Sequence, residues 1–450
     1  MSSDAGPLDA EAEHPGTTAM GAAAPTALAA PVRLRVFLFL GILVALVEVG
    51  SPSGPMFDIA LTLLVKNKLQ LSASEVSDFR ALVAIPIYVS AVFGFVRDIW
   101  NPFGMRDRGF ILLFGSLTVA LYFLLAFVPV TYATLLGSVL LLGVSFRLVS
   151  SAENGLLSTL GQQHTMSGQV SAVWNIVLSV IGVASLVLGG MLSDVLEVEG
   201  GDRAFHTLFL VGAAVVAGVV LYGWCRPRVV FDNVRAERRG RSHPLVDLRR
   251  LANHWPVYPA LLIWLLWNFA PGTDTPLLYY LQRTYHATDT QWGEWNAIFA
   301  ASFIPTYAAF GVLCTLVPLR KLLVWGTVIG VPQMIPLLFI HSVNDALLAA
   351  VPMGLMGGAA SAAYMALIIR SCPPGLQGTV MMMSVALAAA AVRLGDVLGT
   401  RLYDNFGGFQ TCVMAITIVY AVILPTIRLV PPKLIATADG EISNPELAGS

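Results

Sequence analysis

The sequence predicts an all-α integral membrane protein with about twelve transmembrane helices in two six-helix pseudo-repeats. Three observations lead there. Charged residues are 12% of the 450-residue chain and hydrophobic residues 56%, whereas a soluble domain carries about 25% charged residues. A chain so poor in charge has little with which to cover a water-facing surface. The apolar residues fall in runs of roughly 20, the length that crosses a ~30 Å hydrocarbon core. A basic hydrophilic stretch at mid-chain separates six such runs from six more.

Taken in order, residues 1–32 are rich in Ala, Pro, Gly and acids. They lack the basic start and apolar core of a signal peptide and read as a disordered cytoplasmic tail. The N-terminal half occupies 33–224, with helices expected at about 36–64, 77–97, 109–128, 132–160, 167–192 and 204–224. Pro52 and Pro55 predict a bent or broken first helix. Residues 225–256 form a basic linker attracted to anionic headgroups. The C-terminal half occupies 257–432, with helices expected at about 257–283, 291–316, 320–340, 345–369, 377–400 and 409–430. Residues 433–450 read as a second cytoplasmic tail.

Basic residues sort by side. Arg33, Arg35, Arg97, Arg106, Arg108, Arg226, Arg228, Arg235, Arg238, Arg239, Arg241, Arg249, Arg250, Arg320, Lys321, Arg370, Arg428 and Lys433 fall on one side. Lys66, Lys68, Arg80, Arg203, Arg283 and Arg401 fall on the other. The positive-inside bias then places both termini in the cytoplasm. The excess of Arg over Lys points to a GC-rich bacterial genome, hence to the inner (plasma) membrane. A net charge of −1 gives no global field for nucleic acid. Cys225, Cys314, Cys372 and Cys412 have neither disulfide-like nor metal-like spacing, so no metal or cofactor is expected. Nothing signals an oligomer, and a monomer is the default.

An internal repeat supports the division into halves. Gly168–Asp194 and Gly378–Asp404 align without a gap, with Gly168, Val170, Leu188, Gly189, Leu192 and Asp194 matching Gly378, Val380, Leu398, Gly399, Leu402 and Asp404. These are the fifth helices of the two halves. Parallel six-helix repeats are the mark of one large transporter architecture, although two Gly-rich apolar helices can also match by chance.

Between the second and third helices the chain reads Gly94-Phe-Val-Arg97-Asp98, then Pro-Phe-Gly104-Met-Arg106-Asp107-Arg108. Gly94 permits close helix approach. Asp98 can accept hydrogen bonds from a helix N-terminus and pair with Arg106 or Arg108. Such a cluster can latch one side of the membrane shut; the bland reading is a charged turn obeying the positive-inside bias. The second half keeps Gly311 and Arg320-Lys321 without the acid, which predicts a weaker latch there. The motif resembles the loop of the major facilitator superfamily, which implies a secondary transporter. The seventh span, Trp267-Asn268-Phe-Ala-Pro271-Gly272-Thr273-Asp274-Thr275-Pro276 followed by Tyr279-Tyr280, is similar to the folate-biopterin transporter family, as is the stretch around helices two and three. That resemblance implies a folate, a pterin or a related flat carboxylated substrate. The chain departs from the family in a sparser Arg run and in Arg97-Asp98 where the family has Ser-Asp.

Polar groups inside spans are costly and point to function. Arg147, Ser151, Asn154 and Ser158 form one stripe on the fourth helix, with Glu153 beside it. Arg147 is the candidate to hold an anionic substrate group. Asn154, Trp174, Asn175, Asn268, Asp274, Tyr279 and Arg393 complete the expected substrate-binding set, Trp174 and Tyr279 as surfaces for a flat ring. Glu48, Glu153, Asp274 and Asp396 are the candidates for proton coupling. Arg147–Glu153 and Arg393–Asp396 can alternatively be structural pairs. The seven histidines lie in tails, loops or span ends, and no Walker loop or Gly-rich nucleotide motif appears, so catalysis is not expected. Three readings stay open: a carrier of a folate-like molecule, a carrier of another anionic or amphipathic solute, and a non-transporting assembly factor of the same architecture.

Overall fold

The computed structural model describes residues 28–58, 60–61, 69, 73–129, 131–199, 201–234 and 244–441. Most of both expected tails, Lys66 and Lys68, and the linker arginines Arg235, Arg238, Arg239 and Arg241 lie outside the described residues.

The N-terminal half comprises α1 (Ala30–Val49), α2 (Ala73–Val83), α3 (Ser90–Ile99), α4 (Asp107–Leu125), α5 (Tyr132–Gln163), α6 (Ser167–Glu199) and α7 (Gly201–Cys225). A short amphipathic helix, α8 (Pro244–Asn253), follows in the linker. The C-terminal half comprises α9 (Val257–Asn268), α10 (Thr275–Tyr285), α11 (Asp289–Leu316), α12 (Leu319–Gly330), α13 (Val343–Ser371), α14 (Gln377–Asn405) and α15 (Gly408–Ile427). Ten helices among the described residues are long and apolar enough to cross a membrane. The first position is filled by α1 and, after the turn at 50–54, by the helical residues 55–58 and 60–61. The seventh is shared by the shorter α9 and α10.

The helix ends have local causes. Thr131 caps α5 by accepting from the Thr134 N–H, and Thr288 caps α11 by accepting from Gln291, each as a reciprocal capping box. Ser342 accepts from the Asp345 N–H and starts α13. The first span stops at Val49, ahead of Pro52 and Pro55, as their missing donors require. The ninth span, expected at about 320–340, runs over Leu319–Leu338, but its regular helix ends at Gly330. Pro332 and Pro336 follow, and the chain continues as turns and the 3₁₀ segment Ile335–Leu338.

The halves meet with pseudo-twofold regularity. Helix α3 packs on α14 as α6 packs on α11, and α5 packs on α14 as α6 packs on α13. Successive spans alternate in direction, so the turn at 100–106, the loop at 164–166, the linker and residues 372–376 and 428–441 share one face, here called the linker face. Burial changes with depth. Residues 148–163 of α5, 166–172 at the start of α6, 360–373 of α13 and 376–382 of α14 are buried almost without exception. Away from that face, the described residues of the same four helices bury only a stripe. The halves are therefore sealed at the linker face and apart at the opposite face.

Candidate functional site

Arg147 stands halfway along the 32-residue α5, about 22 Å from either end at 1.5 Å per residue. Its Nη2 donates to Ser53 Oγ at 2.8 Å, in the broken stretch after α1. Glu48 and Glu153 both lie within its electrostatic reach, yet neither closes on it as a contact ion pair. The alternative in which Arg147 and Glu153 neutralise each other directly is thus not the arrangement found. Glu153 is 3% exposed. Its Oε2 accepts from Asn154 Nδ2 at 2.7 Å. Glu153 Oε1 and Asn154 Oδ1 are buried with no hydrogen-bond partner. Buried acceptors left open in this way call for a donor from elsewhere. The expected stripe of Ser151, Asn154 and Ser158 is buried. Asn175 is also buried and donates to the Ser171 carbonyl at 2.8 Å, while Ser171 Oγ donates to the Ala362 carbonyl at 2.8 Å and ties α6 to α13.

In the second half the seventh span breaks between Asn268 and Thr275. Asn268 Nδ2 donates to the Trp264 carbonyl at 2.8 Å. Asp274, expected to bind substrate and couple protons, lies beside this break. It occupies the N-cap position of α10 with its side chain exposed and makes no capping bond. The acid that serves the break is Asp396, reaching across from α14. It accepts from Thr275 N at 3.0 Å and from Thr275 Oγ1 at 3.1 Å. Arg393 and Asp396 approach only to 3.9 Å, with Arg393 61% exposed, so the pair is loose and Asp396 is held chiefly by the helix start. Asp274 lies within the fields of Asp396, Arg393 and Arg80, the last from the other half. Tyr279 is exposed, and the Arg283 guanidinium sits over its ring at 4.6 Å. Trp267 stacks on Tyr420 at 4.6 Å and serves packing.

The expected latch residues come together with a different basic partner. A Cβ on Gly94 would collide with the Gly378 carbonyl, so glycine is required where α3 meets the start of α14. The Asp98 side chain is fully buried. It accepts from Gly378 N at 3.1 Å, Thr379 N at 2.7 Å and Thr379 Oγ1 at 2.6 Å. Its close cation is Arg97, at 2.7 Å, whose Nε donates to Asp107 at 2.6 Å. Gly155 leaves the space this guanidinium fills. Arg106 takes a positive φ of 53° at the N-cap of α4, and its N–H donates to Asn101 Oδ1 at 2.6 Å. Arg108 donates to the Gly223 carbonyl at 2.9 Å. Beside the latch, Gln162 Nε2 donates to the Ile369 and Cys372 carbonyls at 2.8 and 2.6 Å, and Gln377 donates to Gln162 at 3.0 Å.

Sequence reasoning missed an aromatic ladder on α11. Trp292 stacks on Trp295 at 5.5 Å, Trp295 on Phe299 at 5.0 Å, and Phe303 and Tyr307 continue the row. Trp295 Nε1 is buried without a partner. The spacing of three, four, four and four was present in the sequence as a signal. Among the described residues, no group of three His, Cys, Asp or Glu could hold a metal ion.

No protein-family model matches the sequence, and no curated protein matches it. Solved structures do match. FucP, a major facilitator superfamily transporter solved in an outward conformation, aligns at a TM-score of 0.67 and 15% identity over 88% of this chain and 98% of that one. The proton:xylose symporter XylE aligns at 0.63 and 10% identity over 91% and 98%. The human organic anion transporter MFSD10 aligns at 0.56 and 16% identity over 88% and 99%. At these identities the likeness is one of architecture: the chain is an integral membrane protein with the major facilitator fold.

Proposed function

We propose that the chain is a secondary active transporter that carries a small organic solute by alternating access, the halves 33–224 and 257–432 rocking about a site near the bilayer midplane. Glu153 carries this reading. A buried carboxylate with one oxygen unpartnered, in the field of Arg147 and next to the open Asn154 amide oxygen, is expensive in a membrane unless a ligand or a proton completes it. Arg147 recognises an anionic group of the solute. Glu153 and Glu48 exchange the proton, with Asp274 and Asp396 as the candidates in the second half. Trp174, Asn175 and Asn268 line the path. The proton coupling of XylE and the anionic cargo of MFSD10 support this assignment. The substrate class is a folate- or pterin-like carboxylated molecule, a reading supported by the seventh-span motif and the helix two to three region; another anionic or amphipathic solute is the alternative. Both termini are cytoplasmic and the membrane is the bacterial inner membrane, a reading supported by the arginine distribution.

The test is uptake of labelled folate and 5-formyl-tetrahydrofolate by cells lacking their own folate carrier. Saturable uptake, stronger at acid external pH and lost in Arg147→Ala, is the expected outcome. A well-inserted chain that takes up neither sinks the substrate class. Uptake that Arg147→Ala leaves intact removes Arg147 from the site.

A further inference from the structure

The second half lacks an acid at the end of its second span. Asp98 stands four residues after Gly94, whereas Thr315, four residues after Gly311, is half-buried and donates to the Val312 carbonyl of its own helix. By the pseudo-twofold, the start of α6 should then be missing the acceptor that Asp98 gives to the start of α14. It is not missing. Asp439, from the stretch after Lys433 that reads from sequence as a free tail, occupies that place.

The two sites match atom for atom at the repeat positions. Asp98 accepts from the N–H groups of Gly378 and Thr379, at 3.1 and 2.7 Å. Asp439 accepts from the N–H groups of Gly168 and Gln169, at 3.2 and 2.9 Å. Gly168 and Gly378 are the aligned first residues of the internal repeat. Each acid has a buried arginine, Arg97 at 2.7 Å and Arg370 at 2.9 Å. Arg370 also bridges to Ser167 Oγ at 2.8 Å and to the Thr437 carbonyl at 2.9 Å. The segment is pinned to the second half as well: Asp439 N donates to the Cys314 carbonyl at 2.8 Å, and Leu319 N donates to the Thr437 carbonyl at 3.3 Å. On the first half, Gly440 N donates to the Thr165 carbonyl at 2.7 Å.

We propose that residues 432–441 form a detachable strap that supplies the second latch of the linker face. The segment rides on the second half and closes onto the start of α6, so that the linker face opens only when Asp439 leaves the Gly168 and Gln169 amides. A carboxylate at a helix start, accepting two N–H groups and paired with arginine, makes strong charge-assisted bonds in a dry setting. It comes from the segment after the last span rather than from a span, so it can be released without moving a membrane helix. That makes the strap a point of control that the Asp98 latch, built into α3, does not offer.

This inference rests on the reading that the halves rock, and the experiment separates the two. Spin labels at Phe103→Cys and Arg320→Cys, both exposed on the linker face of opposite halves, report its opening by pulsed dipolar distances in a Cys225→Ser background, since the other three cysteines are buried. Asp439→Asn and truncation after Lys433 are expected to shift the closed-to-open ratio toward open by on the order of tenfold. Asp98→Asn serves as the control for rocking. Widening with Asp98→Asn but with neither strap variant overturns the strap and leaves rocking intact; widening with none overturns both. Ser167→Cys with Asp439→Cys guards against misfolding, because Ser167 Oγ and Asp439 Oδ1 lie 3.3 Å apart. Its linker-face opening is followed by accessibility to a bulky impermeant maleimide at a single added cysteine in the seam. The face is expected to be closed when oxidised and open when reduced. Equal accessibility in the two redox states overturns the proposal.

Discussion

At the scale of single residues, what matters is which polar atom reaches which backbone donor. The N–H of Thr275, opened by the break at Pro271, is met by Asp396 from 121 positions along the chain, while adjacent Asp274 stays exposed. Asp396→Ala strands that donor and is expected to lower stability by about 1–3 kcal/mol. Asp274→Asn is expected to change it by no more than about 0.5 kcal/mol. Thermal unfolding of the purified protein in detergent, followed by a thiol-reactive dye on emerging buried cysteines, measures both. Equal losses would mean that Asp274 shares the cap. The sequence showed both acids as costly intramembrane groups but could not rank them, because the choice depends on how α14 faces the broken helix. The same limit applies to Asp98. Its need for a cation was legible, and its neighbour Arg97 supplies it; the positive φ at Arg106 and the turn of Arg108 toward the Gly223 carbonyl leave no sequence signal.

At the scale of elements, the internal repeat acquires a physical cause. Its glycines sit where helices touch backbone. A Cβ on Gly189 would lie 3.1 Å from Met56 and Pro55 atoms, beside the break in the first span. A Cβ on Gly399 would lie 2.6 Å from Gly272 N, at the break in the seventh. The fifth helix of each half thus leans on the broken first helix of the same half, tightly at Gly189 and, at Gly399, so closely that only glycine permits it. Gly399→Ala is therefore expected to destabilise by about 1–3 kcal/mol, as overpacking does. Gly182→Ala, whose Cβ meets nothing within 4 Å, is expected to be neutral or to stabilise by up to about 1 kcal/mol. The contrast is read from the two melting temperatures; a harmless Gly399→Ala would show that the helix can slide. The repeat, the span order and the break at Pro52 and Pro55 were all readable, because length, hydropathy and proline act locally. The turn that ends α12 at Gly330 left no mark on the expected span, because apolar residues continue past it and hydropathy alone does not register two missing N–H donors.

At the scale of the whole molecule, the gradient of burial along α5, α6, α13 and α14 identifies the closed face, and the alternating access proposed above requires that closure to be reversible. The seam is built from glycines and small side chains that pack only when the face is shut. Gly94 abuts the Gly378 carbonyl, and Ser171 Oγ reaches the Ala362 carbonyl. A side chain at Gly94 clashes in the closed state and loses that clash once α3 and α14 part, so its cost falls on one state alone. Gly94→Val is therefore expected to favour the linker-open state. A single cysteine at Ser171, fully buried here, reports it through labelling by a membrane-impermeant maleimide added from the linker side. Labelling in the Gly94→Val background is expected to rise by about tenfold or more, since each 1.4 kcal/mol shifts such an equilibrium by about tenfold. The side from which the reagent works also determines orientation: labelling from the cytoplasm agrees with the arginine distribution, and labelling from outside inverts the topology. A rate unchanged by Gly94→Val, in a protein that still inserts, would mean that the seam at α3 and α14 does not part, and the rocking mechanism would fail with it.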